Sequence, residues 1–371
     1  MQVELLPLQH SPSGTSRTLR VMRFGSIGAR PKAYIQAALH ADELPGVLTA
    51  HELAALLAKA EATGALTGEV VLVPAANPIG LAQEFLGVHH GRFALADGQN
   101  FNRGFADLSP NVISDLAARA TDSGVDFSRE LRNLLSVAAG AQKAQSESAA
   151  LKAQLLALAV NSDVVLDLHC DGEAVMHCYT LPSLAERLAP LARLLGAKVC
   201  LTASESGDGP FDEACSRPWQ IAADRFPGST FSAPCLAATI ELRGERDVSP
   251  IFAKADARAI FDFLQIEGII SGDRPVLSGQ SPLIAPLAGV EPLLAPCSGV
   301  LVFTTELGAT VDRGDAIATL VDPVTGQATP ILAGTSGLLF ARAAGRWASA
   351  GKRVGKIAGT EIIRSGKLLS P

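Results

Sequence analysis

Residues 34–57, YIQAALHADELPGVLTAHELAALL, contain the pattern that decides the fold class of this chain. The first six of them form a mostly apolar run of strand length, and helix-spaced apolar residues follow from 45 to 57. The intervening residues 40–43 carry three polar side chains, those of His40, Asp42 and Glu43. A strand, a short loop and a helix in this order are typical of an α/β protein.

Further strand-like runs occur along the first two thirds of the chain. Short apolar runs lie at 70–73, 164–168 and 237–240, and Ala/Leu-rich helical stretches lie between 114 and 160. Apolar strands that alternate with helices predict a mostly parallel or mixed sheet with helices on both faces.

The composition changes near residue 272. Prolines recur from 275 to 296, and glycines then recur among short β-prone runs. A chain of 371 residues is longer than the roughly 100–200 residues of one domain. We therefore predict an α/β domain at 1–272 and a small all-β domain at 273–371 that begins with a proline-rich linker.

The second predicted domain contains an internal repeat. Its first copy is Ser298, Gly299, Gly308, Val311, Gly314, Ile317 and Leu320, and its second copy is Ser336, Gly337, Gly345, Ala348, Gly351, Val354 and Ile357. Two similar hairpin units packed face to face bury what neither buries alone. The repeat therefore predicts a small β-barrel or β-sandwich.

Charge and composition exclude several classes of protein. The 31 Lys and Arg against 37 Asp and Glu give a net charge of -6, which argues against nucleic-acid or anionic-membrane partners. No apolar run reaches the roughly 18 residues of a membrane-spanning helix. Six cysteines without C-x-x-C spacing predict reduced thiols, and residues 1–10 lack the pattern of a secretory signal. We expect a cytoplasmic protein.

Polar side chains follow three of the predicted strands. His40 and Glu43 follow the first strand, His169 follows the run 164–168, and Glu241 follows the run 237–240. Ligands of open α/β sheets bind outside the carboxyl ends of the strands. We therefore expect these side chains to share one site.

Two histidines and one carboxylate form a three-ligand zinc set that leaves the fourth tetrahedral position open for water. His40, Glu43 and His169 fit this set. Zinc lowers the pKa of its water toward roughly 7 and polarises a carbonyl, while a nearby carboxylate moves the proton. Glu241 is placed for that proton transfer, and Asp167 is on the same strand face as His169, where it could orient the imidazole.

Other histidines and carboxylates leave alternatives open. Asp42 is a rival carboxylate ligand, and the adjacent pair His89 and His90, in a Gly-flanked loop, ranks second as a ligand pair. We interpret the remaining histidines as structural or exposed residues: His10, His51 and His177.

The loop at 91–105 is rich in Gly, Asn and Arg, and functional groups concentrate on such loops. Its two arginines, Arg92 and Arg103, have two interpretations. Either they are solvated or paired with acidic neighbours, or a guanidinium binds a substrate carboxylate and stabilises an oxyanion.

Taken in order, these motifs resemble a known family. The elements are HADELPG at 40–46, Arg92, DGQNFNR at 97–103, DLH at 167–169 and Glu241. Together they are similar to the succinylglutamate desuccinylase/aspartoacylase family, which is related to the zinc carboxypeptidases. The resemblance covers most of residues 30–245. It implies a carboxypeptidase-like mixed sheet flanked by helices, with one zinc ion per chain.

The resemblance also implies roles for individual residues. It makes His40, Glu43 and His169 the metal ligands, with Glu241 as the general base and acid. It makes Arg92 the group that polarises the scissile carbonyl.

The same resemblance makes Asn102 and Arg103 the pair that binds the substrate carboxylate. Many relatives have Gly-Gly after the catalytic Glu, whereas this chain has Leu242-Arg243-Gly244. This departure predicts a different substrate pocket, to which Arg243 adds a positive charge.

The region from 295 to 359 is similar to biotinyl/lipoyl-like β-sandwich domains. A carrier domain of this kind needs a modified lysine at an exposed hairpin, and the turn at 322–326, DPVTG, contains none. We therefore interpret the domain as a structural element or as one that shapes the entrance of the site.

We predict a zinc-dependent hydrolase that removes the acyl group from an N-acyl amino acid or a similar small amide. The alternatives are a zinc carboxypeptidase for short peptides and a non-catalytic binding module. The expected partner is a small N-acylated molecule, with no nucleic acid and no membrane. The sequence leaves open the acyl group, the amine and whether the chain forms a homo-oligomer.

Overall fold

The computed structural model describes residues 1–119, 126–227, 229, 231, 234–277 and 279–369. The helices assigned within these residues are α1 (Pro45–Ala62), α2 (Ser109–Arg119), α3 (Phe127–Gly140), α4 (Glu147–Ala159), α5 (Ala185–Leu195), α6 (Phe211–Arg225) and α7 (Pro250–Ile266). No helix in the described part of the chain has the length and hydropathy needed to cross a membrane.

Twelve of the strands in the described residues precede position 290. They are β1 (Gln2–Pro7), β2 (Thr18–Phe24), β3 (Lys32–Ala37), β4 (Glu69–Val73), β5 (Glu84–Phe85), β6 (Val88–His89), β7 (Val164–Asp171), β8 (Glu173–Ala174), β9 (His177–Thr180), β10 (Val199–Thr202), β11 (Leu236–Gly244) and β12 (Leu283–Pro286). The others are β13 (Val290–Leu294), β14 (Gly299–Phe303), β15 (Thr310–Val311), β16 (Ala316–Val321), β17 (Ala328–Leu332), β18 (Gly337–Arg342), β19 (Trp347–Ala348) and β20 (Arg353–Ala358).

A nine-stranded mixed sheet forms the centre of the molecule, in the order β1-β2-β4-β3-β7-β11-β9-β10-β12. Strands β4, β3, β7 and β11 are parallel neighbours, whereas β9 runs antiparallel to β11. One apolar cluster packs α1, α5 and α7 on one face, and a second cluster packs α2, α3, α4 and α6 on the other. The predicted mixed sheet with helices on both faces is confirmed.

The stretch 34–57 forms the predicted strand, turn and helix. The strand, however, lies at Lys32–Ala37, two residues before the predicted run at 34–39. Strand β3 ends at Ala37, because Ala38 has a φ of 59° and turns the chain out of the sheet before His40. Helix α1 begins with Pro45 in its first turn, where proline costs no hydrogen bond, and continues to Ala62. The early end of β3 frees residues 38–44 to form a loop.

The strands from 290 to 358 form two further sheets, ordered β13-β20-β18-β15 and β17-β16-β14-β19, with one apolar cluster shared between them. The two sequence repeats form β14-β15-β16 and β18-β19-β20. The repeats exchange their middle strands, because β15 pairs with β18 and β19 pairs with β14. Within each repeat the outer strands pair antiparallel, β14 with β16 and β18 with β20, and the exchanged middle strands interleave the two repeats.

The C-terminal strands are connected to the central sheet. Strand β12 pairs with β10 at the edge of the nine-stranded sheet, and β8 pairs with β18. A fourth apolar cluster contains Val199 and Leu201 of β10 together with Leu287 and Phe340. These contacts place residues of both predicted domains around one cavity.

Candidate metal centre

Three segments bring the candidate residues to one edge of the central sheet. His40 and Glu43 lie in the loop after β3, where the Glu43 amide donates a hydrogen bond to the His40 carbonyl at 3.2 Å. His169 lies within β7, and Glu241 lies directly beside it in register on the parallel strand β11. The shared edge of β3, β7 and β11 thus gathers residues that are about 200 positions apart in sequence.

His40, Glu43 and His169 form a buried cluster, with exposed fractions of 3%, 7% and 3%. Each offers one ligand atom, and these atoms lie within 4.8 Å of one another. The two carboxylate oxygens of Glu43 are divided between the imidazoles: Oε1 is 2.9 Å from His40 Nδ1, and Oε2 is 2.8 Å from His169 Nδ1. This His-Glu-His cluster could hold a metal ion.

The outer nitrogens of both rings have hydrogen-bond acceptors. His40 Nε2 lies 2.8 Å from Asn100 Oδ1, which also accepts from the amide of Asn102. His169 Nε2 lies 2.8 Å from Asp167 Oδ2. Each Nε2 therefore carries a proton, and in a neutral ring each Nδ1 presents its lone pair to the Glu43 carboxylate. A nitrogen that faces a carboxylate in this way binds either a proton or a metal cation, and the N and O donors of this set fit a divalent metal.

Electrostatics differ at the two imidazoles, because burial, and then the charge of Arg92, lower the pKa of His40. Burial alone would lower the pKa of His169, but the charges of Asp167 and Glu43 raise it well above the usual value. Burial acts to raise the pKa of Glu43, but the two imidazoles hold it well below its usual range. The cluster is therefore a buried carboxylate that is stabilised by the positive charge and hydrogen-bond donors around it.

A buried chain of hydrogen bonds fixes Asp167. Gln36 Nε2 donates to Asp167 Oδ1 at 3.0 Å, and the Tyr34 hydroxyl donates to Gln36 Oε1 at 2.8 Å. Gln36 and Asp167 are direct partners in the β3–β7 register. Asp167 thus lies next to His169, where the sequence analysis expected it to orient the imidazole.

Arg92 lies beside the cluster because Gly91 allows the loop to approach. Arg92 Nη1 donates to Glu43 Oε1 at 3.0 Å. A Cβ on Gly91 would lie 2.0 Å from the backbone nitrogen of Asp42, and the Ala41 amide donates to the Gly91 carbonyl at 3.0 Å. Only glycine fits this contact without a shift of the backbone.

Asn102 and Arg103 lie on the wall of the same cavity. Asn102 Oδ1 accepts from the amide of Phe211 at 2.9 Å, and its Nδ2 is 3.3 Å from His169 Nε2. Arg103 Nη1 donates to the Asn102 carbonyl at 2.7 Å. These contacts fix both side chains close to the cluster.

Glu241 also lines the cavity, and its Oε2 atom is buried without a hydrogen-bond partner among the described residues. Burial, and then the negative charge of Glu43, raise the pKa of Glu241 to about 8. An unpartnered carboxyl oxygen of this kind can hold or release a proton near neutral pH.

Arg243 does not reach the cavity. Its guanidinium pairs with Asp256 and lies 4.4 Å above the ring of Phe252, and it is absent from the described residues that line the cavity. The main chain explains this position, because Arg243 has a φ of 66° at an irregularity in β11. The side chain is thereby directed to α7.

The rival ligands also lie elsewhere. His89 Nε2 is 3.0 Å from the carbonyl oxygen of Gly80, and His90 packs near Phe85. His177 is buried against Phe340, and its Nδ1 is 2.8 Å from the Val175 carbonyl. Among the described residues, these histidines and Asp42 are absent from the cavity wall.

The cavity has a volume of about 290 Å³ and is lined by both parts of the chain. The sequence did not single out Asn100, which orients His40, or the C-terminal side chains Arg353 and Arg364. A signal existed for Gln36, because Tyr34 and Gln36 are polar residues on one face of an otherwise apolar strand. No comparable signal marked the C-terminal arginines.

Comparison with known proteins shows which family has this architecture. The sequence model described as "Succinylglutamate desuccinylase/Aspartoacylase catalytic domain" matches residues 29–266. A search of curated proteins finds no match.

Solved structures share the fold along nearly the whole chain. A succinylglutamate desuccinylase/aspartoacylase family protein from Shewanella amazonensis has a TM-score of 0.86 at 23% identity, with 96% of this chain and 98% of that chain covered. A similar protein from Shewanella frigidimarina has a TM-score of 0.86 at 22% identity, with 96% of each chain covered. The ectoine utilization protein EutE from Ruegeria pomeroyi has a TM-score of 0.67 at 20% identity, with 97% of this chain and 95% of that chain covered.

Proposed function

This chain belongs to the succinylglutamate desuccinylase/aspartoacylase family, and from this premise we propose that it is a zinc-dependent hydrolase of N-acyl amino acids or similar small amides. The observation that carries the proposal is the buried cluster of His40, Glu43 and His169, whose inward nitrogens face one carboxylate. The family and the cluster together support an enzyme with one metal ion per chain.

Each residue of the proposed site has one task. His40, Glu43 and His169 hold the ion, and Asn100 and Asp167 keep the two imidazoles in the required tautomer. A zinc ion held there would polarise the scissile carbonyl and make a water molecule more acidic.

The protein's own groups do the rest of the chemistry. Glu241 takes a proton from the attacking water and delivers it to the leaving amine, since no described residue competes for its Oε2. Arg92 stabilises the developing oxyanion. Asn102 and Arg103 bind the carboxylate of the amino-acid product. We leave Arg243 out of this set, because Asp256 and Phe252 engage its guanidinium.

The shape of the site favours a small amide over a peptide. The cavity of about 290 Å³ is at the lower end of the roughly 300–1,000 Å³ typical of small-molecule sites. Residues after 286 close one of its sides, including Leu287, Phe340 and Leu368. We propose that this part is a biotinyl/lipoyl-like sandwich within a domain at 273–371 that limits the size of the substrate, and that the enzyme works in the cytoplasm.

The substitution Glu241→Gln separates metal binding from chemistry. We expect it to keep the metal and to lower kcat by about 10²–10⁴-fold, the usual value of general acid–base catalysis. Metal content by mass spectrometry and the rate of amine release check the two parts. The control is Glu306→Gln, an exposed carboxylate that is not among the described residues lining the cavity. Full activity of Glu241→Gln would overturn the assigned role.

A further inference from the structure

One face of the C-terminal strands is exposed to solvent. The sheet β17-β16-β14-β19 packs its other face on the apolar cluster that contains Leu301, Leu320 and Ile331. Successive side chains of a strand point to opposite faces, so the residues that alternate with these point outward. The outer face, as we name it, consists of Val300, Val302, Thr319, Val321, Ala328, Pro330, Leu332 and Trp347.

The residues of the outer face form continuous rows across the sheet. In the first row, the strand register places four side chains next to one another: Trp347, Val300, Val321 and Ala328. The second row contains Val302, Thr319 and Pro330. Neighbouring strands lie about 4.8 Å apart, so the side chains of each row are in contact distance. The outer face is therefore one contiguous patch.

The composition of the outer face differs from that of an ordinary exposed sheet. An antiparallel sheet with one face on a core usually places apolar residues inward and polar residues outward. Seven of the eight residues of the outer face are apolar, Thr319 is the exception, and none is charged. The exposed fraction is 55% for Trp347 and 47% for Val302. Contiguous exposed apolar patches of this kind mark interaction sites.

Charged residues lie around the outer face. Lys352 Nζ donates to the Trp347 carbonyl at 3.5 Å, and Asp322 follows directly after β16. Arg346, which precedes Trp347, pairs with Glu173 at 2.6 Å. An apolar centre with a polar rim is the usual arrangement of a protein–protein interface.

The lack of charge on these eight residues favours a second copy of this chain as the partner. Each copy has a net charge of -6, so two copies repel each other wherever acidic surfaces meet. A two-fold axis brings the same patch of both copies together, and the patch must therefore be complementary to itself. An uncharged sheet face meets this condition, because two apolar sheet faces pack about 10 Å apart with interdigitating side chains.

The size of the outer face fits a weak dimer. With strands about 4.8 Å apart and a rise of about 3.3 Å per residue, three strands of about five residues and the short β19 cover roughly 300 Å². The rim adds to this area, so two copies bury on the order of 1,000 Å² together, less than the roughly 1,600 Å² of a standard interface. Weak complexes typically bury less than about 1,200 Å².

We propose that the outer face is a homodimer interface, in which two copies of this chain pack outer face to outer face about a two-fold axis. The cavity residues Phe340 and Val354 belong to the sheet β13-β20-β18-β15, on the far side of the shared apolar cluster. The dimer therefore leaves the cavity open, and the proposal is independent of the hydrolase function.

Sedimentation velocity over a concentration series measures the dimer without turnover. We expect the wild-type protein to dimerise with a Kd of about 1–100 µM. Trp347→Lys should raise the Kd at least tenfold, because it places a charge in the apolar contact, whereas Trp347→Phe should retain most of the affinity. Val302→Thr keeps the shape of the side chain but adds a hydroxyl, and we expect it to raise the Kd about threefold or more.

The matched control is Leu86→Lys. Leu86 is 87% exposed and lies between β5 and β6, outside the outer face, so this variant should dimerise like the wild type. Thermal unfolding of each variant is measured separately, and Val302→Thr provides the test if Trp347→Lys does not fold. A wild-type protein that stays monomeric at about 200 µM would overturn the interface, because the expected Kd lies below this concentration. A dimer that is weakened by Leu86→Lys but not by Trp347→Lys or Val302→Thr would do the same.

The salt dependence of the dimer provides a second test. An apolar contact without ion pairs should change its Kd by less than about threefold between about 50 and about 500 mM sodium chloride. A contact through the charged rim would weaken much more strongly over this range, because salt screens exposed charges. A steep loss of affinity with salt would therefore contradict the outer face as the interface.

Discussion

At the scale of single residues, the cluster depends on which ring nitrogen of each histidine faces inward. Asn100 and Asp167 accept hydrogen bonds from the two Nε2 atoms, so in the neutral ring each Nδ1 lone pair points at the Glu43 carboxylate. The acidic residue next to His169 therefore has a positioning role. It holds the imidazole in one tautomer and one orientation before any ion is bound.

This role predicts the effect of Asp167→Asn. An amide can present either a donor or an acceptor to His169 Nε2, so the tautomer is no longer fixed, and we expect zinc affinity to fall by about 10–100-fold. Competition with a metal indicator measures the change. The control is Asp224→Asn, an exposed carboxylate on α6 that should leave the affinity unchanged. Equal affinity in the Asp167→Asn variant would refute the positioning role.

The candidate ligands could be predicted because His40, Glu43 and His169 carry their signal locally, at the ends of apolar runs. Gln36 and Asn100 could not be assigned, since their roles depend on which segments meet in space. The register that pairs Gln36 with Asp167 joins residues 131 positions apart. The direction of the Arg243 side chain could likewise not be predicted from the sequence, because it follows from the positive φ of this residue in β11.

At the scale of elements, a buried carboxylate joins three strands of the central sheet. Glu69, at the start of β4, has an exposed fraction of 1%. Its Oε1 accepts from Arg23 of β2 at 2.9 Å, and its Oε2 accepts from the Gly28 amide at 3.0 Å and lies 3.4 Å from Lys32 Nζ of β3. Burial acts to raise the pKa of Glu69, but these partners outweigh it, and the net pKa is lowered.

The lowered pKa of Glu69 determines the direction in which the free energy of unfolding changes with pH. Glu69 stabilises the folded state fully above its unfolded pKa of about 4.5, and this contribution is lost as the pH falls through the lower folded pKa. We expect Glu69→Gln to cost about 1–3 kcal/mol at pH 7, because Arg23 and Lys32 lose a partner. The difference from wild type should shrink below pH 4.5, where the wild-type carboxyl is protonated too.

Denaturant unfolding at several pH values measures this difference, with Glu84→Gln as an exposed control that should change the free energy of unfolding by less than about 0.5 kcal/mol. A difference that stays constant down to strongly acidic pH would show that Glu69 is not charged in the folded protein.

The helices and strands also show which sequence patterns were sufficient to predict secondary structure. Strand and helix types around 34–57 were predicted, because an apolar run followed by helix-spaced residues leaves few alternatives. The end of β3 was not predicted, since nothing in an Ala-Ala-Leu sequence signals that Ala38 adopts a positive φ. The repeat in 298–357 was visible, but its exchanged middle strands were not, because pairing between repeats is a non-local property.

At the scale of the whole molecule, the C-terminal strands and the central sheet share an apolar cluster. Phe340 of β18 is fully buried in it, beside Val199 and Leu201 of β10 and 5.0 Å from the ring of His177. A division of the chain near residue 272 remains our prediction for the domain boundary. The shared cluster indicates that the two parts stabilise each other.

Phe340→Ala tests this dependence. We expect it to lower the free energy of unfolding by about 3–5 kcal/mol, the usual cost of a cavity left by a buried aromatic side chain. Scanning calorimetry should show one transition that moves to lower temperature as a unit. Phe85→Ala, at a side chain that is 60% exposed, should change little. Two separate transitions, with only one shifted, would contradict the shared stability.

The central claim is that this chain uses a bound metal to hydrolyse small N-acyl amino acids. The most direct measurement is the rate of amine release by protein stripped with a chelator and then reloaded with zinc, on a panel of N-acyl amino acids and short peptides. The account predicts no turnover after stripping, recovery at one zinc ion per chain, and activity confined to the N-acyl amino acids. Equal rates before and after stripping, or hydrolysis of the peptides alone, would contradict it.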